Sequence, residues 1–256
     1  MLSLLPDTSF QMLTNSDSKL INSFANKKFR QKYNKFVVEG VKMIHEVLKS
    51  SYKIHTIYTT EAIFDTFPVE SVLVSERELK KISRLVQPNT ALAVCEIPDE
   101  NTLNLNGLVI ALDDIRDPGN LGTIIRLADW FGVEQILCSH ETVDLYNPKV
   151  IQATMGSFTR VQINYVDLKE TFSAYPNPIL GTFMDGENIY QSEFPEEAIL
   201  VMGNEANGIS EALLSFISNK MSIPRFGKLQ QTESLNVAMA TAILLGEAAS
   251  TRFRNS

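Results

Sequence analysis

The residues from Gly107 to Leu112 read Gly-Leu-Val-Ile-Ala-Leu, a short unbroken apolar run between turn formers. That is the pattern of a strand buried on both faces of a parallel sheet. Past the Pro/Gly/Asn loop that follows, the period changes: Leu121, Ile124, Ile125 and Ala128 fall at i, i+3, i+4 and i+7, one apolar face of a helix. Arg126 projects roughly 150° from the middle of that face, toward solvent or a cleft. The alternation then repeats, predicting helices over 121–131, around 148–155, 167–174, 210–217 and 234–249, and strands over 135–139, 160–165, 179–183, 198–202 and 220–223. Strands spaced by helices and turns imply an α/β fold on a mostly parallel sheet with both faces covered. The last helix is apolar around most of its circumference, so burial on more than one side is expected, by the domain core or by a second subunit. Ser234 or a neighbour is placed to cap it.

Upstream, residues 18–28 read as a helix with Leu20, Ile21 and Phe24 on one face, followed by a basic loop. Phe36-Val-Val-Glu-Gly40 leads into a second helix with Val41, Ile44, His45 and Leu48 inward. Strands are expected over 53–58, 71–75 and 91–97, and Ser75 with Glu78 forms a capping box for a short helix through Ser83. His45 fits a packed, hydrogen-bonded side chain better than a catalyst. These elements make one small α/β unit, residues 1–97. The polar, turn-rich stretch 98–106 is expected to be a linker, and 107–256 a second domain.

Composition narrows the class. Apolar residues make up 44% and charged residues 21%, as in a water-soluble globular chain. No apolar run reaches membrane-spanning length, and Met1-Leu-Ser-Leu-Leu-Pro lacks the basic and apolar regions of a signal peptide, so the expectation is a cytoplasmic protein without membrane contact. Cys95 and Cys138 sit in apolar runs and read as buried free thiols; with His45, His55 and His140 scattered, no metal site is expected.

A net charge of −7 argues against a protein that coats nucleic acid by electrostatics alone. Distribution matters more. Between Asn26 and Lys49, Lys27, Lys28, Arg30, Lys32, Lys35, Lys42 and Lys49 face only Glu39 and Glu46, a local charge of +5 from seven cations and two carboxylates. Such a run is either a solvated helix end and loop, or a phosphate-contacting patch whose Phe29, Tyr33 and Phe36 stack on unpaired bases.

Three stretches carry candidate chemistry. The loop Asp117-Pro-Gly-Asn-Leu-Gly-Thr-Ile-Ile-Arg126 has G-x-x-G, neither the dinucleotide G-x-G-x-x-G nor a P-loop, which disfavours a Rossmann-type nucleotide enzyme. On its own it is equally an ordinary βα turn with an exposed arginine. The strand at 198–202 runs into Gly203-Asn-Glu205-Ala-Asn-Gly208, a Gly-flanked acidic loop, and in open parallel sheets ligands bind beyond the carboxyl ends of strands. Met221-Ser-Ile223-Pro224 ends a third strand and feeds a polar loop to Ser234-Leu235-Asn236.

Together, D-P-G-N-L-G-T-I-I-R at 117–126, M-G-N-E-A-N-G-I at 202–209 and S-I-P followed by S-L-N-V-A-M-A at 222–240 resemble, in order, the three signature motifs of the SpoU (TrmH-like) branch of the SPOUT RNA methyltransferases. Lys28-Phe-Arg through Phe36-Val-Val-Glu-Gly40 is similar to the ribosomal-protein-L30e-like substrate domain that many members carry. The resemblance implies a trefoil-knotted α/β domain that binds S-adenosylmethionine, acts as a homodimer through its C-terminal domain, and methylates a ribose 2′-hydroxyl in ribosomal or transfer RNA. From pattern alone the sheet would be unknotted.

By family position, Asn120, Arg126, Glu205, Ser234 and Asn236 form the reaction site. On the same ground Thr182, Phe183, Met184, Gly203, Asn204, Ile223, Leu235 and Asn236 would hold the cofactor, while the charge of the 26–49 stretch makes Lys27, Lys28, Arg30, Lys32 and Lys35 the expected RNA contacts. Family accounts make the arginine a base. A guanidinium has a pKa above about 12, so fixing the phosphate and polarising the hydroxyl suits Arg126 better. One departure is the stretch Arg225–Glu233 between Pro224 and Ser234, a few residues longer than the family usually shows. A non-catalytic RNA-binding or ribosome-assembly factor that retains the fold is the competing class. The combination Asn120, Arg126, Glu205, Ser234 and Asn236 weighs against it.

Overall fold

Thr14 accepts the N–H of Asp17, and Asp17 reaches back to Thr14, so helix α1 (Asn15–Ser23) begins earlier than the hydrophobic period alone implies. In this computed structural model, which describes residues 13–99, 102–227, 229 and 234–255, the chain divides into two units. The first runs to Pro98 and takes in Tyr146–Pro148; the second takes Asp99–Leu145 and the chain from Lys149 on.

In the first unit α1 is followed by α2 (Lys27–Tyr33), β1 (Lys35–Glu39), α3 (Val41–Leu48), β2 (Ile54–Thr59), β3 (Ser71–Leu73), α4 (Glu76–Ile82) and β4 (Ala91–Glu96). Its sheet has the order β1-β4-β2-β3, with β1 and β2 antiparallel to β4 and β3 parallel to β2. The single helix expected over 18–28 is two. Asn26 accepts the N–H of Lys28 and starts a new helix, and Asn34, left-handed at φ +52°, ends it. The basic stretch is thus helical rather than a loop.

Two expectations for that patch are overturned. Arg30 is 2% exposed, with Nη1 donating to the carbonyls of Phe24 at 2.7 Å and Ala25 at 3.0 Å, the unpaired carbonyls where α1 ends. Phe36 is fully buried in β1 and has no face for a base. The residues before α3 form this strand because Phe36, Val37 and Val38 are buried on both sides of it. In α3 the inward face is Met43, Ile44 and Val47, rotated from the expected set; Val41, His45 and Leu48 are half-buried. His45 packs against the rings of Phe64 and Phe67 at 5.4 and 5.6 Å. The Ser75–Glu78 capping box opens α4 as expected.

The second unit contains β5 (Leu108–Leu112), α5 (Pro118–Phe131), β6 (Gln135–Cys138), α6 (Pro148–Thr154), β7 (Gln162–Tyr165), α7 (Leu168–Ala174), β8 (Ile179–Asn188), β9 (Ala198–Met202), α8 (Glu211–Leu214), β10 (Asn219–Ser222) and α9 (Val237–Asn255). The sheet order is β10-β8-β9-β5-β6-β7 with every pair parallel. Central β5 and β9 are buried throughout, which is why both read as continuous apolar runs. Because they are parallel neighbours, the loops after them emerge on one edge of the sheet. Leu105 packs on the core that Val109, Leu137, Ile199 and Phe172 share. Cys95 and Cys138 are free and buried, and burial pushes both thiols well above the ordinary cysteine range.

Three elements differ from the expected spans. Helix α5 starts at Pro118 because Asp117 caps it, accepting the N–H of Asn120. Strand β8 runs on to Asn188, but its pairing with β10 jumps from Gly181↔Lys220 to Glu187↔Met221, so 182–186 bulge out of the ladder. Helix α9 starts at Val237, after Asn236 rather than Ser234 has capped it, with Oδ1 accepting from Ala238 and Met239. Among the described side chains of α9, those buried in this single chain, Val237, Ala238, Thr241, Leu244, Leu245 and Ala248, lie on one face.

Candidate active site

Where β5 and β9 end, their loops are tied together. The backbone N–H of Asp113 donates to the carbonyl of Met202 at 3.0 Å, extending the ladder one step beyond both strands. The chain after β9 then closes into a ring: Asn204 and Gly208 exchange backbone hydrogen bonds of 2.8 and 3.0 Å. This ring requires Gly203, where a Cβ would lie 2.3 Å from the carbonyl carbon of Gly208, inside any permitted contact. Asn204 commits its whole side chain to the ring, Oδ1 accepting from Ala206 and Asn207 and Nδ2 donating to the carbonyl of Asp114 at 2.8 Å.

The exposed tip of the ring is Glu205. Its Oε1 accepts from Asn120 Nδ2 at 2.6 Å, and Asn120 Oδ1 accepts from Asn236 Nδ2 at 2.9 Å. Three residues separated by 85 and 116 positions in sequence therefore form one directional chain of side-chain hydrogen bonds that terminates on a carboxylate. The Asn236 amide is oriented from behind, since its Oδ1 caps α9, and the backbone of Asn120 is held by Asp117 at the start of α5.

Beside this chain lies a cavity of about 1370 Å³, bounded by the 182–184 bulge, the 203–209 ring and the segments 221–227 and 234–244. Of the residues expected from sequence to hold the cofactor, Thr182, Phe183, Met184, Gly203, Asn204, Ile223 and Leu235 all line it, as do Glu205 and Ser234 of the reaction set. Asn120 and Asn236 stand at its edge, joined to it through Glu205. Not anticipated from sequence are the apolar walls Ile209, Leu214, Met221 and Leu244: Ile209 and Met221 lie near strand ends, whereas Leu214 at the end of α8 and Leu244 in the middle of α9 carry no local signal. The cavity exceeds the roughly 300–1,000 Å³ of ordinary small-ligand pockets. Its apolar walls and ring backbone suit a purine and ribose, and the Glu205 carboxylate suits a cationic group, so the donor set fits S-adenosylmethionine.

Arg126 is not brought to this cavity. It is exposed, and no described residue gives it a hydrogen bond or ion pair. Standing six residues beyond Asn120, it lies about 9 Å farther along α5 and about 120° around it. It shares a face with Trp130, one turn on, which is 84% exposed. In the first unit Lys27, Lys28 and Lys32 are exposed on α2 and Lys35 is half-buried at the start of β1. Phe29 and Tyr33 are 37% and 41% exposed, with Lys32 Nζ 5.2 Å from the Tyr33 ring.

Comparison with known proteins agrees with this geometry. Residues 107–246 match the model of the SpoU rRNA Methylase family, and residues 15–93 that of the MRM3-like substrate binding domain. The chain is 32% identical over 228 residues to the 23S rRNA (guanosine(2553)-2′-O)-methyltransferase RlmP of Bacillus subtilis, covering 86% of this chain and 90% of that protein. A Porphyromonas gingivalis structure assigned to the TrmH family of RNA methyltransferases superposes with a TM-score of 0.86 at 36% identity, covering 93% of this chain and 98% of that one. An AdoMet-bound rRNA methyltransferase from Sinorhizobium meliloti gives 0.83 at 29% identity, covering 93% and 95%. With three strand-end loops meeting at one cavity and a family model spanning more than half its length, this chain belongs to the SpoU rRNA methylase family, with an MRM3-like substrate-binding domain ahead of the catalytic one.

Proposed function

We propose that this chain transfers a methyl group from S-adenosylmethionine to a ribose 2′-hydroxyl of ribosomal RNA. The observation that carries the reading is the hydrogen-bonded chain Asn236–Asn120–Glu205 ending at the mouth of a cavity that fits the cofactor. When bound, the cofactor supplies a methyl already activated on a sulfonium. The protein's tasks are therefore to align a sugar oxygen with it and to ease loss of the hydroxyl proton. The 203–208 ring, Ile223, Leu235 and the 182–184 bulge hold the adenosyl group. The Glu205 carboxylate, aimed by Asn120, orients the reacting groups, with Ser234 on the same rim. Arg126 fixes the RNA phosphate and polarises the hydroxyl, remaining charged throughout.

A second copy of the chain completes the site. Arg126 and Trp130 share an exposed face of α5, and Met239 and Phe253 of the neighbouring α9 are 55% and 84% exposed. A homodimer that covers these residues buries the face of α9 left open in one chain and carries Arg126 to its partner's cavity. Family membership supports a trefoil knot in the second unit and, through the RNA substrate, a cytoplasmic place of work. The first unit contributes RNA contacts through Lys27, Lys28 and Lys32 of α2, with Phe29 and Tyr33 beside them.

The reading is tested by mixing R126A and E205Q subunits. With Arg126 acting across the interface, each mixed dimer regains one intact site, so random mixing restores about one quarter of unmodified activity although each variant alone transfers far more slowly, at a residual rate that single-turnover measurement still resolves. No recovery on mixing would remove the shared site. In parallel, G203A should lose cofactor binding, measured by calorimetry, because its Cβ opens the ring.

A further inference from the structure

The end of β5 carries two adjacent acidic residues, and each holds one end of the ring that bears Glu205. Asp113 is buried, 7% exposed, and its Oδ2 accepts the backbone N–H of Ser210 at 2.7 Å, just past the end of the ring. Asp114 has a left-handed backbone, φ +57°, which aspartate tolerates better than most residues. That turn aims its carbonyl at Asn204 Nδ2, at the beginning of the ring. Between these two points the ring closes on itself through Asn204 and Gly208, and among the described residues its tip is tied by the bond from Asn120 to Glu205. A closed ring held at both ends by consecutive residues just after β5 takes its place from those anchors, so they decide where Glu205 stands.

We propose that Asp113 and Asp114 are positioning residues of the methyl-transfer site, Asp113 acting through its carboxylate and Asp114 through its backbone carbonyl to hold the 203–210 segment where Glu205 meets Asn120. The proposal rests on the reading above that Glu205 takes part in transfer. It differs from a merely structural tie in one respect: loss of an anchor should slow transfer through Glu205 and hardly at all once that carboxylate is gone.

The test is a double-mutant cycle on single-turnover transfer of a labelled methyl from S-adenosylmethionine to ribosomal RNA. D113A, which strands the Ser210 N–H and frees one end of the ring, is expected to slow transfer by about 30-fold, within the range caused by misplacing a reacting group by about 1 Å. D113N keeps a carbonyl oxygen for Ser210 and should return to within about threefold of the unmodified rate. On an E205Q background D113A should cost less than about threefold, because coupled residues are not additive.

Where D113A does not fold, Asp114 decides the matter. D114G keeps the left-handed turn and its carbonyl and should stay within about threefold, whereas D114V, excluded from that region, should lose at least about tenfold. The proposal is overturned if D113A slows the E205Q enzyme as much as it slows the unmodified one, if D113N is as slow as D113A, or if D114G and D114V transfer alike. An E205Q enzyme with an unchanged rate would instead take Glu205 out of the chemistry, and the positioning role with it.

Discussion

Helices α2 and α5 each carry an arginine that sequence alone marks as a candidate for RNA, and the two side chains do opposite things. Arg30 of α2 turns inward, is 2% exposed, and spends its guanidinium on the carbonyls of Phe24 and Ala25. Arg126 of α5 turns outward on the face shared with Trp130, with no hydrogen bond or ion pair to any described residue. A helix end leaves carbonyls without partners, and α1 ends where Arg30 can reach them. The end of α5 closes on Gly132 in the left-handed conformation, so no arginine is needed there. Charge in a sequence shows that a cation exists; the backbone it faces decides whether that cation binds a carbonyl or a ligand.

Arg126 carries the largest expected effect. R126A should lower methyl transfer by at least about 100-fold, the scale for removing a charged group that acts in the transition state. Its thermal midpoint and cofactor affinity, read by calorimetry, should not move. R30A is the converse. It leaves two carbonyls without their donor and should lose about 2–4 kcal/mol of stability in a denaturant titration.

Replacing Lys27, Lys28 and Lys32 together by alanine leaves stability unchanged. It should weaken RNA binding by about tenfold at moderate salt and flatten the salt dependence by about two charges, since exposed lysines act on phosphates. Unaltered RNA affinity in that triple variant would assign RNA contact elsewhere.

The smallest effect concerns Asp129, the neighbour of Trp130, which pairs with Arg160 at 2.8 Å. Burial by itself would raise its carboxyl, but hydrogen bonds from Arg160 and Ser157 outweigh that and hold it below the usual aspartate range. A carboxyl depressed in the folded state stabilises above its unfolded pKa of about 3.9, and that contribution is lost as pH falls through the lower folded value. The pair is partly exposed, so D129N should remove less than about 1 kcal/mol of stability near neutral pH and flatten the acid limb of the unfolding curve.

Much of the second unit was legible because its chemistry sits at the ends of strands that announce themselves. Val109 to Leu112 and Ile199 to Met202 are apolar throughout, buried on both faces, and the residues that follow them, Asn120 and Glu205, meet as their motifs imply. What was not legible depends on contacts distant in sequence. Nothing local to Phe36 tells a base-stacking ring from one sealed against the rings of Tyr52 and Tyr146. The 182–186 bulge exists only relative to the pairing of β10. That Arg126 stands apart from the cavity follows from its place on the exposed face of α5, about 120° around the helix from Asn120. Where spacing was read through a helix it erred by a rotation, as in α3, because Met43 and Val47 complete the inward face.

The most direct measurement is to incubate the protein with ribosomal RNA and S-adenosylmethionine carrying a labelled methyl, then digest the RNA with alkali. Methylation of a ribose 2′-oxygen blocks cleavage at that nucleotide, so the label should appear in an alkali-resistant dinucleotide with the unmodified chain and be absent with R126A. Label recovered in single nucleotides, or cofactor bound without transfer to any RNA, would contradict the assignment.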